Sequence, residues 1–201
     1  MAVVTKSTTV LKPPITVLQW GELDGETRYD LVNGHLKERP DVAFWHEILL
    51  ADLLVFLHRY ITKHGLGILV SSKAKLKISK FGGREPDIFF IPKALFHLVG
   101  KNLFKGVPPL VIEILSPENE REDRGPKRRE YAALGIGQYW IVDFPQRCIE
   151  VYQLRRRGGK RESELIEVVR ANAVFRPKLF PGLRIALAKI WPTEFENRTD
   201  K

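Results

Sequence analysis

The chain has a single cysteine, Cys148, in 201 residues. That excludes an intramolecular disulfide and a metal cage built from thiolates. Within Arg147-Cys148-Ile149-Glu150-Val151 the thiol reads as a small apolar side chain. Long apolar runs are also absent: no window approaches the roughly 20 apolar residues a membrane span needs. Residues 1–14 hold no such run either, so no signal peptide is expected. These absences set the expectation of a soluble, cytoplasmic protein. No internal repeat, low-complexity tract or linker divides the chain. Acids are the minority charge, 24 Asp+Glu against 33 Lys+Arg, for a formal net charge of +9 and a pI near 9.7. That excess favours polyanionic partners such as nucleic acid; it bears on solubility and encounter, not on fold.

What is present suits one α/β domain, with an ordinary hydrophobic share of 44%. The expected layout is a flexible N-terminal arm over 1–14, ending in Pro13-Pro14, a domain over 15–192 and a polar C-terminal tail over 193–201. Thr16 to Leu23 reads as a short amphipathic helix with Val17, Trp20 and Leu23 on one side. Tyr29 to Glu38 reads as a hairpin about Asn33-Gly34, a dipeptide suited to a type I′ turn. The longest helix is expected over Phe44 to Lys63, where Ile48, Leu49, Leu53, Phe56, Leu57 and Tyr60 recur at helical spacing before Gly65. Gly67 to Val70 and Ala74 to Ile78 look like strands. The second alternates Lys73, Lys75 and Lys77 with apolar residues, which reads as a solvated face, the alternative being a stripe that contacts phosphates. Cys148 to Leu154 and Glu164 to Val169 form a hairpin around the basic segment Arg155 to Arg161. That segment reads as a solvated turn, with a DNA-backbone contact as the sharper option. Arg184 to Trp191 is a last strand or a short helix.

The stretch from Arg84 to Asp143 carries the chemistry. Two apolar strands each hold an acid: Asp87 opens Asp87-Ile88-Phe89-Phe90-Ile91, and Glu113 interrupts Leu110-Val111-Ile112-Glu113-Ile114-Leu115. A helix over Asp123 to Tyr131 and a third strand, Tyr139 to Asp143, follow. A carboxylate inside a strand buried on both faces is costly unless it is paired or holds a metal. Two such acids brought together repel, and a hard divalent cation such as Mg²⁺ (or Mn²⁺) resolves the conflict through oxygen ligands. A lysine beside them completes a hydrolytic site by positioning water or offsetting phosphate charge. Lys127 is the candidate, since its helix follows the Glu113 strand, and Asp123 lies one turn earlier in position to pair with it. Each residue has a plainer role: Asp87 as a turn cap, Lys127 as a surface lysine beside Arg128 and Arg129, His46 as a satisfied helix residue, Asp30 as a solvated strand residue.

The segments Tyr29-Asp30-Leu31-Val32-Asn33-Gly34, Pro86-Asp87-Ile88-Phe89-Phe90-Ile91, Pro108-Pro109-Leu110-Val111-Ile112-Glu113-Ile114-Leu115-Ser116-Pro117, Asp123-Arg124-Gly125-Pro126-Lys127 and Gly135-Ile136-Gly137-Gln138-Tyr139-Trp140-Ile141-Val142-Asp143 resemble, in order and spacing, the Uma2 family of the PD-(D/E)xK superfamily. The resemblance implies a restriction-endonuclease-like α/β fold: a mixed central sheet flanked by helices, with antiparallel hairpins. It implies a metal site at Asp87 and Glu113, with the Ile114 carbonyl as a further ligand, and homodimerisation. The superfamily's lysine two residues after the second acid is absent, because that position is Leu115; Lys127 takes its place. Asp30 stands where the family usually has glutamate, Gln138 where it often has glutamate, and Asn33-Gly34-His35 where Asp-Gly-Glu is common. Asp30, His46, Asp123 and Gln138 are expected as supporting or substrate-contacting residues, with Asp30 and His46 at the rim. The functional expectation is a Mg²⁺-dependent endonuclease acting on nucleic acid, DNA first. The competing expectation is a catalytically idle module that binds nucleic acid or protein on the same fold.

Overall fold

The computed structural model describes residues 3–4, 10–23, 27–71 and 73–192. The expected C-terminal tail and much of the expected N-terminal arm lie outside the described residues. Within the arm, Val3–Val4 (β1) and Val10–Leu11 (β2) pair antiparallel. The first helix, Val17–Gly21 (α1), begins at a capping box: the Thr16 hydroxyl accepts from the Gln19 N–H, and the Gln19 side chain accepts from the Thr16 N–H. Tyr29–Val32 (β3) and His35–Glu38 (β4) then form the expected hairpin. Asn33 and Gly34 have φ of 50° and 79°, the two left-handed residues a type I′ turn requires. A Cβ at Gly34 would also sit 2.6 Å from Pro14 Cβ.

Phe44–Lys63 (α2) has the expected bounds. It buries Leu49, Leu50, Leu53, Leu57 and Ile61, one stripe at helical spacing. The strands Gly67–Ser71 (β5), Lys75–Ser79 (β6), Gly82–Arg84 (β7), Ile88–Pro92 (β8), Leu103–Phe104 (β9) and Leu110–Ile114 (β10) follow. One continuous helical run then comprises Glu120–Glu122 (α3), a π-helical turn over Asp123–Lys127, and Arg128–Leu134 (α4). The chain returns through Gln138–Asp143 (β11), Cys148–Arg157 (β12), Lys160–Arg170 (β13), Val174–Phe175 (β14) and Ile185–Ala186 (β15). A 3₁₀ turn over Leu187–Lys189 is the last described element, so the last segment holds both a strand and a short helix.

Two sheets make the frame. The larger has the order β13-β12-β11-β10-β8-β5, the smaller β4-β3-β7-β6-β9. In the larger sheet only β10 and β11 are parallel, and the helical run bridges them as a crossover. Strand alternation sends Ile112, Ile114, Trp140 and Val142 to one face, against α2 and the C-terminal segment with Phe175 and Phe180. Phe89, Val111, Tyr139 and Ile141 face the other way, against Tyr131 of α4 and Leu76 and Phe104 of the smaller sheet. The second core closes the space between the two sheets. Among the described residues no helix is long and apolar enough to cross a membrane.

Two sequence expectations change. The basic segment after Leu154 is mostly strand, because Gly158 and Gly159 supply both positive φ values, 55° and 78°, and the ladder runs on to Arg157 opposite Lys160. Arg155 and Arg157 are spent on Glu164. The lysine stripe of β6 is also not uniformly solvated. Lys75 donates to the carbonyls of Trp20 and Leu23, at 2.9 and 2.7 Å, and lies over the Trp20 ring. A cation there satisfies carbonyls left open at the end of α1.

Candidate active site

The antiparallel register of β8 and β10 pairs Ile88 with Ile112, so one step further brings Asp87 level with Glu113. Glu113 alternates onto the face between the sheets, under the helical run. Its Oε1 accepts from the Tyr131 hydroxyl at 2.7 Å and lies 3.1 Å from Lys127 Nζ. The same ammonium is 2.7 Å from Asp123 Oδ1. Asp87 Oδ2 accepts the Ile114 N–H at 2.8 Å and lies 3.1 Å from His46 Nε2. Arg39 Nη2 is 3.3 Å from the other carboxylate oxygen, and Arg39 Nη1 donates to the Glu85 carbonyl. Asp87, Glu113, Asp123 and Lys127 are all 3% exposed or less, so the constellation is recessed.

Asp30 joins from the hairpin. Its carboxylate accepts from Arg84 Nη1 at 2.9 Å and from the Glu85 N–H at 3.2 Å. Arg84, 1% exposed, grips Glu130 of α4 with Nε and Nη2, at 2.7 and 2.9 Å, and Nη2 also meets Glu122. The planar fork of arginine suits that job, and it ties the smaller sheet to the helical run. The π-helical turn carries Asp123 and Lys127 and holds Pro126, whose missing N–H and ring suit a widened turn better than regular α-helix. Arg124 of that turn pairs with Asp143 of β11 and Glu150 of β12, so the turn is anchored at both ends.

The electrostatics follow from crowding. Burial, with Asp87 and Asp123 close by, pushes the Glu113 carboxyl up to about 7, and Lys127 only partly offsets it. Burial likewise raises Asp123 against the pull of Lys127. For Asp87 burial also opposes ionisation, but His46, Arg39 and Lys127 outweigh it and hold the group well below the usual carboxylate range. Burial works against charge on Lys127, yet Glu113, Asp123 and Asp30 hold it firmly protonated. Asp30 is kept low by Lys127, Arg39 and Arg84, which overcome its burial. Asp123 Oδ1, though near Lys127, lacks a directed hydrogen bond. Asp87 and Glu113, buried side by side on neighbouring strands, offer the oxygen donors that a hard divalent cation takes.

Asp87, Glu113, Lys127, Asp123, Asp30 and His46 thus fall in one neighbourhood, with Ile114 joined through its N–H. Asp30 and His46 are buried, at 5% and 2% exposure, rather than at a rim. Gln138 stands apart. It is level with Leu110, three positions before Ile141, the residue paired with Glu113, and its side chain bonds Gln153 and Trp140. Gln138 alternates with Trp140 onto the α2 face, away from the acids, so it serves the sheet and not this constellation. Sequence reasoning passed over Arg39, Arg84, Glu130 and Tyr131; the one local signal was Arg84 just before Glu85-Pro86-Asp87. A second acidic group, Asp143, Cys148 and Glu150, has ligand atoms within 4.8 Å of one another. Arg124 already neutralises its carboxylates, and burial with both acids pushes the thiol up, away from the thiolate a metal needs.

The mixed sheet, its crossover helix and the acids at the ends of neighbouring strands define a restriction-endonuclease-like α/β protein. The fold is shared with a crystal structure from Anabaena variabilis ATCC 29413 titled "a putative nuclease belonging to DUF820". The TM-score is 0.71 at 17% identity, over 89% of this chain and 98% of that one. The chain belongs to the Uma2 family, whose description is "Putative restriction endonuclease" and whose pattern matches residues 16–188. Membership places it among restriction-endonuclease-like nucleases. No curated protein matches the chain.

Proposed function

We propose that this protein is a divalent-metal-dependent endonuclease that hydrolyses phosphodiester bonds of nucleic acid, with DNA as the expected substrate. The observation that carries this reading is the burial of Asp87 level with Glu113 on neighbouring strands, with Lys127 3.1 Å from Glu113. Asp87 and Glu113 would hold Mg²⁺ or Mn²⁺, with the Ile114 carbonyl as a further oxygen donor and Asp123 in support through Lys127. Bound there, the ion supplies positive charge to a phosphoryl oxygen and lowers the pKa of water. Lys127 is held as a cation by Glu113 and Asp123, so it positions the attacking water and offsets phosphate charge rather than taking up a proton. Tyr131 orients Glu113, while His46 and Arg39 orient Asp87. Asp30 acts through Arg84, which fixes the helical run over the strand ends. A homodimer in solution is part of the proposal and is tested by sedimentation.

A binding module without catalysis competes with this reading, because every charged member is recessed and already partnered. The test is to incubate the protein with plasmid and single-stranded DNA in Mg²⁺ or Mn²⁺, beside Asp87→Ala and Lys127→Ala. Cleavage by the wild type alone is the expected result. If the wild type and both variants leave all substrates intact while still shifting DNA in a gel, the binding reading replaces the enzymatic one.

A further inference from the structure

We propose that a cavity next to the acid constellation receives one unstacked nucleotide of a single nucleic-acid strand. The inference rests on the nuclease reading and deepens it by naming the form of the substrate. The cavity measures about 670 Å³, within the roughly 300–1,000 Å³ typical of small-ligand sites. It opens between the edge of the larger sheet, with Ile68 and Val70 of β5 and Phe89 and Ile91 of β8, and the segment from Val99 to Phe104. Trp20, Arg28 and Tyr29 close it from the α1 and hairpin side.

Its walls are apolar. Phe89 and Phe104 pack on each other beneath the floor, with ring centroids 5.9 Å apart, and both are buried, while Ile68, Val70 and Val99 give the more open apolar surface. At the mouth, Ile68 and Val99 are 42% and 46% exposed, apolar surface that a planar ligand would cover. The charged lining residues are Arg28, Lys73, Lys75 and Lys101 against the single acid Glu85, and Glu85 pairs with Arg28. Lys75 is committed to the end of α1, which leaves Lys73 and Lys101, both exposed, to meet a phosphate. Basic side chains beside an apolar wall suit an anion with an apolar part, and a nucleotide has that chemistry.

Position links the cavity to the chemistry. Phe89 is two residues of extended chain from Asp87, about 7 Å. Glu85 lines the cavity, its carbonyl accepts from Arg39, and Arg39 reaches Asp87. A smaller cavity of about 330 Å³ around Arg39, Pro40 and Asp41 shares Thr27 and Arg28 with the larger one and continues the path. A strand with one base in the larger cavity therefore passes its neighbouring phosphate toward Asp87. The recess of Asp87, Glu113 and Lys127 points the same way. A closed duplex presents its phosphates on a stiff convex rod, whereas a strand with unstacked bases bends into a recess.

The test uses the full chain with an oligonucleotide carrying 5-iododeoxyuridine at one position. Binding is read by anisotropy, the photo-crosslinked peptide by mass spectrometry, and cleavage by gel in Mn²⁺. The single strand is expected to bind at least tenfold more tightly than a blunt hairpin duplex of the same sequence, and to crosslink to the peptide holding Phe89 or Phe104. The surface variant Lys73→Glu/Lys101→Glu is expected to weaken binding at least tenfold with an unchanged thermal melt. Crosslinks mapping elsewhere, with the double variant binding like wild type while cleavage persists, overturn the cavity and leave the nuclease reading standing. Crosslinks in the cavity without cleavage keep the nucleotide site and overturn the nuclease reading. No binding of either form overturns both.

Discussion

Replacing Glu113 by glutamine should make the metal-free protein more stable above neutral pH, although it removes a residue placed at the centre of the site. Glutamine keeps an oxygen to accept from Tyr131 and Lys127 but carries no charge. In the wild type the carboxyl rises from the ordinary glutamate value of 4.5 to about 7. Between those values the folded chain holds a proton that the unfolded chain has lost, so stability is full below 4.5 and falls as pH rises through 7. The shift of roughly 2.5 units corresponds to about 3 kcal/mol. With a urea slope of about 2 kcal/mol/M, the midpoint gap between variant and wild type should be near zero at pH 4.5 and about 1.5 M at pH 8.5. Urea unfolding in the presence of a chelator reads this directly. Glu85, raised by its own burial, stays in both proteins and cancels in the difference, whereas Asp123 and His46 sense the Glu113 charge and their response is part of what is measured. Excess Mg²⁺ at pH 8.5 should restore the wild type and leave the variant unchanged. If variant and wild type show the same pH dependence, Glu113 does not carry an uncompensated buried charge, and the argument for a cation there fails.

Lys127→Met leaves Glu113 and Asp123 buried without their ammonium, so it should cost about 3–5 kcal/mol at pH 8 and less at pH 5, where Glu113 holds a proton; thermal melts at the two pH values check this. Gly83→Ala places a Cβ 2.3 Å from the Trp20 ring and should destabilise by about 1–3 kcal/mol through overpacking, read as a lower urea midpoint. Binding to DNA should weaken steeply between 50 and 200 mM salt, as about 6–10 phosphate contacts would require. A flat salt dependence in a filter-binding assay removes nucleic acid as the partner.

Short-range chemistry made much of this fold legible. Asn33-Gly34 admits a type I′ turn, and the hairpin forms there. The apolar spacing from Phe44 onward and the stop at Gly65 fit the observed bounds of α2. Alternation and β-branching marked β8, β10 and β11, and the acids stood out because they broke an apolar pattern. Partners more than a few residues away were not legible. Lys75 looked solvated until α1 packed its open carbonyls against β6. Arg39, Arg84 and Tyr131 are ordinary in their own segments, and each acquires a role only where segments 46 or 48 positions apart, or a helix and a strand, meet.

By itself, then, the sequence determined the elements, the turn residues and the oddity of acids in buried strands, because periodicity and φ preference act over a few residues. Only the tertiary structure decided which face each acid joins. Strand register levels Asp87 with Glu113, the crossover helix lowers Lys127 and Tyr131 onto that face, and the same alternation turns Gln138 to the opposite side. A one-residue slip in pairing would reverse those assignments, and the register holds because the apolar alternation of each strand must meet its buried faces in the assembled fold.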